Sequence, residues 1–264
     1  MAVSAQDVAA LRKQTGAGMM DVKRALEDAG GDMERAAQIL REKGKVGAAK
    51  REDRENTQGA VTLIVDDGKV GTIVELKCET DFVAKSADFT ATLDRIATAV
   101  SEKGAEAAGA FEEQLDELRV TLKEKIEVGQ VVRFEAREDS IIDGYLHTQS
   151  DRGVNAVLVE LVGGDRELAH SVAVHIGFTK PRYISRDEVP ADDVARERET
   201  LEAISRNEGK PDAQIPKIVE GRLRAFYEQL CLLDQAYVRD EKVTIEKLLG
   251  SAKVTRFAQV VIGA

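Results

Sequence analysis

An internal repeat constrains the fold of this chain more than any other feature of its sequence. Without gaps, residues 59–76 lie over residues 144–161. The identical positions are Gly59/Gly144, Asp66/Asp151, Gly68/Gly153 and Val74-Glu75-Leu76/Val159-Glu160-Leu161. In the first copy, alternating apolar residues flank an Asp-Gly pair, which is a strong local signal for a β-hairpin. We therefore expect the chain to build one antiparallel unit twice.

The two copies differ after their second strand. The apolar helical stripe that follows begins at Phe89 in the first copy and at Leu168 in the second, so the first copy carries a short extra segment. This segment includes Thr80-Asp81-Phe82-Val83. An aromatic side chain on a short loop between rigid elements is more often a binding device than part of a core. The alternative is that Phe82 and Val83 fold back into the core.

Composition limits the class of protein. A chain of 264 residues predicts two or three compact units. The net charge of −10 argues against the nucleic-acid backbone as a main partner. Two cysteines form no disulfide framework, which favours a reducing, intracellular setting. No apolar run approaches the roughly 18 residues that a membrane span needs, so we expect a soluble, cytoplasmic protein without a membrane partner.

The first 44 residues predict three short helices that form a small bundle, interrupted at Gly16-Ala17-Gly18 and at Gly30-Gly31. We expect the third helix to end at Gly44. Met19 and Met20 are adjacent in the second helix, so they cannot both face one core, and we expect one of them to be exposed. Residues 45–58 are almost without apolar side chains and predict a charged linker or an exposed helix.

The remaining elements complete an α+β fold with antiparallel sheets. In the first repeat, two helices follow the hairpin, and a strand is expected at 131–134. The second repeat predicts strands at 141–149 and 154–162, a helix at 166–177 and a last strand at 256–262. Two charged helices on either side of Gly209-Lys210-Pro211 interrupt it as an inserted helical hairpin. The predicted units are 1–55 for the bundle and linker, 56–140 for the first repeat, and 141–264 for the second, with the hairpin at about 187–232.

Nothing in the sequence indicates a catalytic centre, a cofactor site or a metal site. There is no Gly-Lys-Ser/Thr phosphate loop, no His-Glu-x-x-His, no Gly-x-Ser-x-Gly and no cysteine pair at metal spacing. Glu79 and Asp81 could serve as an acid/base pair, but the adjacent sequence supplies no group that gives them a mechanism. We therefore expect a binding protein and keep a carboxylate enzyme as a minor alternative.

Two motifs resemble bacterial elongation factor Ts. They are KQTGAGMMDVKRAL at 13–26 and Glu79-Thr80-Asp81-Phe82-Val83-Ala84. The second repeat adds His175-Ile176, Lys180-Pro181, Val219-Glu220-Gly221-Arg222 and Leu233-Asp234-Gln235-Ala236-Tyr237-Val238. The resemblance implies a guanine nucleotide exchange factor for elongation factor Tu. It also implies a ubiquitin-associated-like N-terminal bundle, two core subdomains and a hairpin through which a homodimer could form.

The resemblance further implies which residues contact the partner. Asp81 and Phe82, flanked by Thr80 and Val83, would enter the GTPase and disturb its Mg²⁺ and phosphate region. The other implied contacts are Met19, Met20, Lys23, Ile126, His147 and, on a weaker match, Val238. The family has a glycine directly after the isoleucine, whereas this chain has Glu127-Val128-Gly129. A protein-binding adaptor that uses the ubiquitin-associated-like bundle is the main alternative function.

Overall fold

The computed structural model describes residues 3–264, with every side chain except those of residues 45, 46 and 49. The fold is α+β with antiparallel sheets, as predicted. The helices are α1 (Ala5–Thr15), α2 (Met19–Asp28), α3 (Met33–Ala49), α4 (Asp81–Ala84), α5 (Ala87–Lys103), α6 (Glu112–Leu122), α7 (Arg166–Thr179), α8 (Ala191–Asn207), α9 (Ile215–Leu230) and α10 (Ile245–Leu249). The strands are β1 (Gln58–Asp66), β2 (Val70–Cys78), β3 (Glu127–Glu135), β4 (Ser140–Gln149), β5 (Arg152–Val162), β6 (Ala236–Tyr237), β7 (Asp240–Thr244) and β8 (Lys253–Val261).

Helices α1–α3 form the predicted bundle; residues 1 and 2 of that predicted unit lie outside the described residues. Ser4 begins α1 by accepting a hydrogen bond from the Asp7 amide at 3.0 Å. The bundle core is built from six buried side chains: Leu11, Val22, Ala25, Leu26, Ala36 and Leu40. Helix α3 does not stop at Gly44 but continues to Ala49, so the start of the charged stretch is helical.

A close helix contact explains why α3 passes through a glycine. A Cβ atom on Gly44 would lie 2.5 Å from Cγ1 of Val120 on α6. Glycine weakens a helix interior, but here it lets the backbone of α3 approach α6. Arg51 adds to this contact by donating a hydrogen bond to the Arg119 carbonyl at 3.0 Å. The bundle is therefore docked on the first repeat.

Both repeats form three-stranded antiparallel sheets, in the orders β1-β2-β3 and β4-β5-β8. The Asp-Gly turn of the first hairpin places Asp67 and Gly68 at φ 45° and 70°, the left-handed region that such turns require. Both predicted third strands are present with shifted bounds: β3 begins earlier than expected, and β8 begins and ends earlier. The repeat is confirmed as a repeated sheet.

The shared Val-Glu-Leu run has a structural reason, because each sheet carries a β-bulge at its glutamate. The β2–β3 register shifts between Val74 and Leu76, and Glu75 accepts a hydrogen bond from the Gln130 amide at 2.9 Å. The β5–β8 register shifts between Glu160 and Leu161. A bulge leaves one residue of the longer strand without its ladder partner. A buried carboxylate can accept the hydrogen bond that this residue no longer makes within the ladder.

The two sheets pack against each other through their inner faces. Ile73, Ile142 and Leu158 belong to one buried cluster that draws side chains from both sheets. The outer face of the first sheet is covered by α5 and α6, through residues such as Phe89 and Leu115. The outer face of the second sheet is covered by α7 in the same way. The result is a helix–sheet–sheet–helix arrangement with one core between the sheets.

The inserted hairpin is α8 and α9. Ile215, Val219 and Leu223 are buried in its seam. Four partly buried side chains pack against them: Val194, Leu201, Phe226 and Tyr227. The seam therefore closes the hairpin on itself. Sequence patterns did not predict the short β6–β7 ribbon, because strands of this length carry no measurable periodicity. Within the described residues, no helix is both long and apolar enough to cross a membrane.

Candidate functional site

The extra segment of the first repeat forms a single helical turn with an exposed aromatic side chain. Strand β2 ends at the buried Cys78, and the four-residue α4 ends at the buried Ala84. Thr80 caps this turn by accepting a hydrogen bond from the Val83 amide at 3.4 Å. Between these anchors, the Phe82 side chain is 81% exposed. We refer to residues 79–85 as the Phe82 turn.

The alternative that this segment folds back into the core holds for one residue only. Val83 is partly buried against the core of the first repeat, whereas Phe82 points away from it. The spacing explains the difference, because neighbouring positions on a helical turn cannot share one face. The exposure of Phe82 is thus consistent with the prediction that its side chain is accessible to a partner.

Asp81 places a negative charge beside the exposed ring. Its carboxylate accepts a hydrogen bond from Lys85 Nζ at 2.6 Å, and this hydrogen bond lowers the pKa of Asp81. The carboxylate is therefore ionised at neutral pH. Cys78, in contrast, is a packing residue, because burial raises the pKa of its thiol to about 12 and a thiol in that state is a poor nucleophile.

The sequence patterns missed Glu124, which lies in the connection between α6 and β3 and touches the Phe82 turn. Its Oε2 accepts hydrogen bonds from the amides of Glu79 and Thr80, both at 3.0 Å. No local motif marks Glu124, because its partners lie far away in the sequence.

Met19 and Met20 lie at the start of α2 and are both exposed, at 57% and 59%. The expectation that one of the two would be exposed is met by both of them, because α2 buries Val22, Ala25 and Leu26 instead. Met19, Met20 and Lys23 border an open groove that also involves Val8 and Arg12 of α1. The side chains that line this groove are apolar or basic.

A short segment links α2 to the Phe82 turn. Asp21 pairs with Lys123 at 3.1 Å, and the next residue, Glu124, binds the turn. Residues 123 and 124 thus connect the Phe82 turn to the helix that carries the predicted contact residues Met19, Met20 and Lys23.

Ile126 requires a correction. Its side chain is completely buried in the core of the first repeat, so in this conformation it offers no surface to a partner. The residues after it explain why the change from the family pattern is tolerated: Glu127 and Val128 begin β3, and Gly129 stands opposite Glu75 at the bulge. Ile126 therefore supports the site from within.

His147 is exposed near the end of β4, where its Nδ1 lies 3.2 Å from the Tyr145 hydroxyl. It borders an open cavity together with Gln58 and Arg152. Arg152 donates a hydrogen bond to Gln58 Oε1 at 3.1 Å, and Gln58 pairs with Cys78 in the sheet. His147 and the Phe82 turn therefore lie at the same end of the stacked sheets.

Val238 belongs to a different part of the molecule, the turn between β6 and β7, where it is 38% exposed. Its amide lies 3.3 Å from Nδ1 of the buried His175. Burial lowers the pKa of His175, against the hydrogen bond with Gln235, so the ring is neutral and can accept this hydrogen bond. Phe178 on α7 is also 66% exposed, because it lies off the face that carries the partly buried Leu168 and the buried Val172 and Ile176.

In the part of the chain that the structure describes, no group of three or more His, Cys, Asp and Glu side chains is arranged to hold a metal ion. The polar groups at the Phe82 turn are engaged with the protein itself, as the pairs Asp81–Lys85 and Thr80–Glu124 show. The Phe82 ring is therefore exposed beside polar groups that already have partners within the chain.

Known proteins share much of this sequence. The family model described as elongation factor TS matches residues 79–264. Elongation factor Ts of Leifsonia xyli subsp. xyli is 43% identical over 276 residues, covering 99% of this chain and 99% of the relative. The protein of that name from Streptomyces avermitilis is 44% identical over 276 residues, covering 98% of both chains. That from Deinococcus deserti is 41% identical over 274 residues, covering 98% of this chain and 99% of the relative.

Proposed function

Because the chain belongs to the elongation factor Ts family, we propose that it is a translation elongation factor that promotes the release of GDP from elongation factor Tu. The observation that carries the proposal is the exposed Phe82 on a turn anchored at both ends. Large aromatic side chains that are exposed on a rigid support are the usual anchors of protein interfaces.

The proposed mechanism is binding linkage, which requires no acid, base or metal ion of the chain itself. An exchange factor that binds the nucleotide-free partner more tightly than the GDP-bound partner must weaken GDP binding by the same factor. A thousandfold effect corresponds to about 4 kcal/mol of differential binding, and a buried aromatic anchor supplies about 2 kcal/mol or more. This action is nucleotide exchange rather than catalysis in the usual sense.

Asp81 is proposed to supply a further part of the differential binding. Its ionised carboxylate lies beside Phe82 and would enter the partner's phosphate and Mg²⁺ region with it. A negative charge there competes with the phosphates for the partner's cation, since Mg²⁺ bridges phosphate oxygens in GTPases. Thr80 and Val83 hold the turn from which both side chains project.

We propose three further contact surfaces. The first is the groove with Met19, Met20 and Lys23, the second is the region of His147, and the third is the turn with Val238. The division of the chain into 1–55, 56–140 and 141–264, and the ubiquitin-associated-like nature of the bundle, belong to the same proposal. They are supported by the separate bundle core and by the repeated sheets.

The hairpin of α8 and α9 is proposed as the site of self-association in the cytoplasm. Its seam is internal, so a homodimer would have to use its outer face, where Ile204 is 40% exposed. This proposal is independent of the exchange mechanism.

A release assay tests the proposed function directly. Elongation factor Tu loaded with fluorescent GDP is mixed with excess unlabelled GDP, with and without this protein. The protein is expected to accelerate the loss of fluorescence in proportion to its concentration, up to a plateau. A protein-binding adaptor built on the bundle, or a carboxylate enzyme, would leave the release rate unchanged, and that result would overturn the proposal.

A further inference from the structure

Glu124 holds the backbone from which Phe82 projects. Besides the amides of Glu79 and Thr80, which donate to its Oε2 at 3.0 Å each, it binds the Thr80 hydroxyl, which donates to Oε1 at 2.6 Å. Both carboxylate oxygens are thus used on two consecutive residues of the Phe82 turn. Hydrogen bonds to an ionised acceptor are roughly twice as strong as those between neutral groups.

The contact is reciprocal. Glu79 Oε1 accepts a hydrogen bond from the amide of Lys125 at 2.7 Å, so each of the two glutamates binds the backbone of the other's segment. Arg54 holds the second oxygen of Glu79 at 3.2 Å. The segments 79–80 and 124–125 are therefore cross-linked by two carboxylates that point in opposite directions.

The Phe82 turn needs such a support because the sheet does not supply one. Strand pairing to β1 ends at Cys78, and pairing to β3 ends at Lys77. The amides of Glu79 and Thr80 lie beyond both ladders, and α4 has only four residues. A helix of this length is not stable by itself, and its first amides have no partner within the helix. Glu124 supplies the hydrogen-bond acceptors that a neighbouring strand would otherwise provide for these two amides.

We propose that Glu124 is a positioning residue for nucleotide exchange: it sets the direction in which Phe82 leaves the core and so prepares the turn for its partner. This inference rests on the proposed function. A preorganised anchor avoids the cost of ordering a loop when the complex forms. Glu124 itself does not need to touch the partner.

A comparison of Glu, Ala, Asp and Gln at position 124 distinguishes the effect of side-chain length from the effect of charge. Glu124→Ala removes the contact and is expected to lower the maximal rate of stimulated GDP release about tenfold, equivalent to about 1.4 kcal/mol. The concentration that gives half of this rate should change less than about twofold, since the other contact surfaces remain. Glu124→Asp is too short by one methylene group and should behave like alanine.

Glu124→Gln has the right length, so its carbonyl can accept from both amides while its NH₂ donates to the Thr80 hydroxyl. It should keep most of the activity. Amide hydrogen exchange at Glu79 and Thr80 reports the contact without reference to activity. The exchange rates are expected to rise in the Ala and Asp variants and to stay near the parent value in the Gln variant. Glu102→Ala, at an exposed position on α5, is the matched control for losing a glutamate.

A double-mutant cycle decides whether Glu124 acts through Phe82. In a Phe82→Ala background, Glu124→Ala should slow release no further. The inference would be overturned if the losses in release rate from the two substitutions were additive. It would also be overturned if Glu124→Ala changed only the concentration needed for half of the maximal rate. In both cases the acceleration by the parent protein would still support the proposed function. If the parent does not accelerate release, the proposed function fails instead. If the Glu124→Ala variant does not fold, the release rates of the Glu124→Gln and Glu124→Asp variants are compared instead.

Discussion

At the scale of single residues, two exposed phenylalanines allow a controlled test of the site. Phe82 and Phe178 are 81% and 66% exposed, so neither contributes much to the stability of the free protein. They differ in support, because Phe82 lies on a clamped turn and Phe178 lies on the outer face of a regular helix. If exposure alone made a contact residue, both would matter for exchange.

We expect Phe82→Ala to slow stimulated GDP release at least about tenfold, since an aromatic anchor commonly contributes 2 kcal/mol or more. The midpoint temperature of thermal unfolding should stay within a few degrees of that of the parent protein, because little apolar surface is removed from the core. Phe178→Ala is the control and should leave release unchanged. Equal effects of the two variants, or a large loss of stability in the Phe82 variant, would contradict the assignment.

At the scale of elements, the buried Glu160 at the bulge of the second sheet links its strand to neighbouring segments through hydrogen bonds. Glu160 accepts hydrogen bonds from the Arg137 amide at 2.9 Å and the Ser140 hydroxyl at 2.6 Å, and from the guanidinium of Arg256 at 2.7 Å. Arg137 belongs to the connection between the two repeats, and Ser140 is the first residue of β4. Burial by itself would raise the pKa of Glu160, but these hydrogen bonds, with a further one from Thr255, outweigh it and hold the pKa at about 2.

A lowered pKa predicts acid sensitivity. The ordinary value for glutamate is about 4.5, so the folded state binds fewer protons than the unfolded state between about pH 4.5 and pH 2. The stabilisation is fully present above this window and is lost as the pH falls through it. Urea unfolding at several pH values should show Glu160→Gln with lower stability at pH 7 and a flatter decline below pH 4.5. The exposed Glu241→Gln serves as control; an unchanged acid decline in the Glu160 variant would refute the prediction.

The helical hairpin is expected to be separable from exchange, because its buried seam is its own. Replacing residues 194–226 with a short Gly/Ser linker removes the seam and should leave GDP release within about twofold of the parent, since the other proposed surfaces are kept. Light scattering of both proteins, alone and with elongation factor Tu, would show whether self-association is lost. A folded variant without exchange activity would place the hairpin in the interface with the partner.

At the scale of the whole molecule, the N-terminal bundle is docked as well as tethered. Gly44 lets α3 approach Val120, and Arg41 pairs with Glu113 on α6 at 2.9 Å. Exposed ion pairs of this kind contribute little individually, so the docking depends mainly on the close approach of the two helices. The bundle can then hold its groove in a defined position relative to the first repeat.

Deleting residues 1–50 tests this arrangement and keeps Arg54, which pairs with Glu79. The remaining chain should fold, because the cores on both sides of each sheet are retained. It should bind elongation factor Tu more weakly and release GDP less efficiently at low concentration, with a smaller effect on the maximal rate. Binding isotherms and the release assay measure both quantities. An insoluble product would show that the bundle is integral to the core.

Local chemistry explains which parts could be predicted from the sequence. The Asp67-Gly68 turn and the alternation along β1 depend on neighbours within a few residues. The extra segment with Phe82 was found by comparing two copies in one chain. Glycine misled the prediction at position 44, since its usual role in ending a helix gave way to a close contact with α6.

The sequence by itself determined the repeated hairpins, the inserted helices and the segment that carries Asp81 and Phe82, because periodicity and turn chemistry act over short distances. Only the tertiary structure decided that the two sheets share a core at Ile73 and Leu158, that Ile126 is buried, and that Glu124 clamps the Phe82 turn. These features join residues far apart in the chain. Their partners are chosen by the packing of whole elements, which no local pattern encodes.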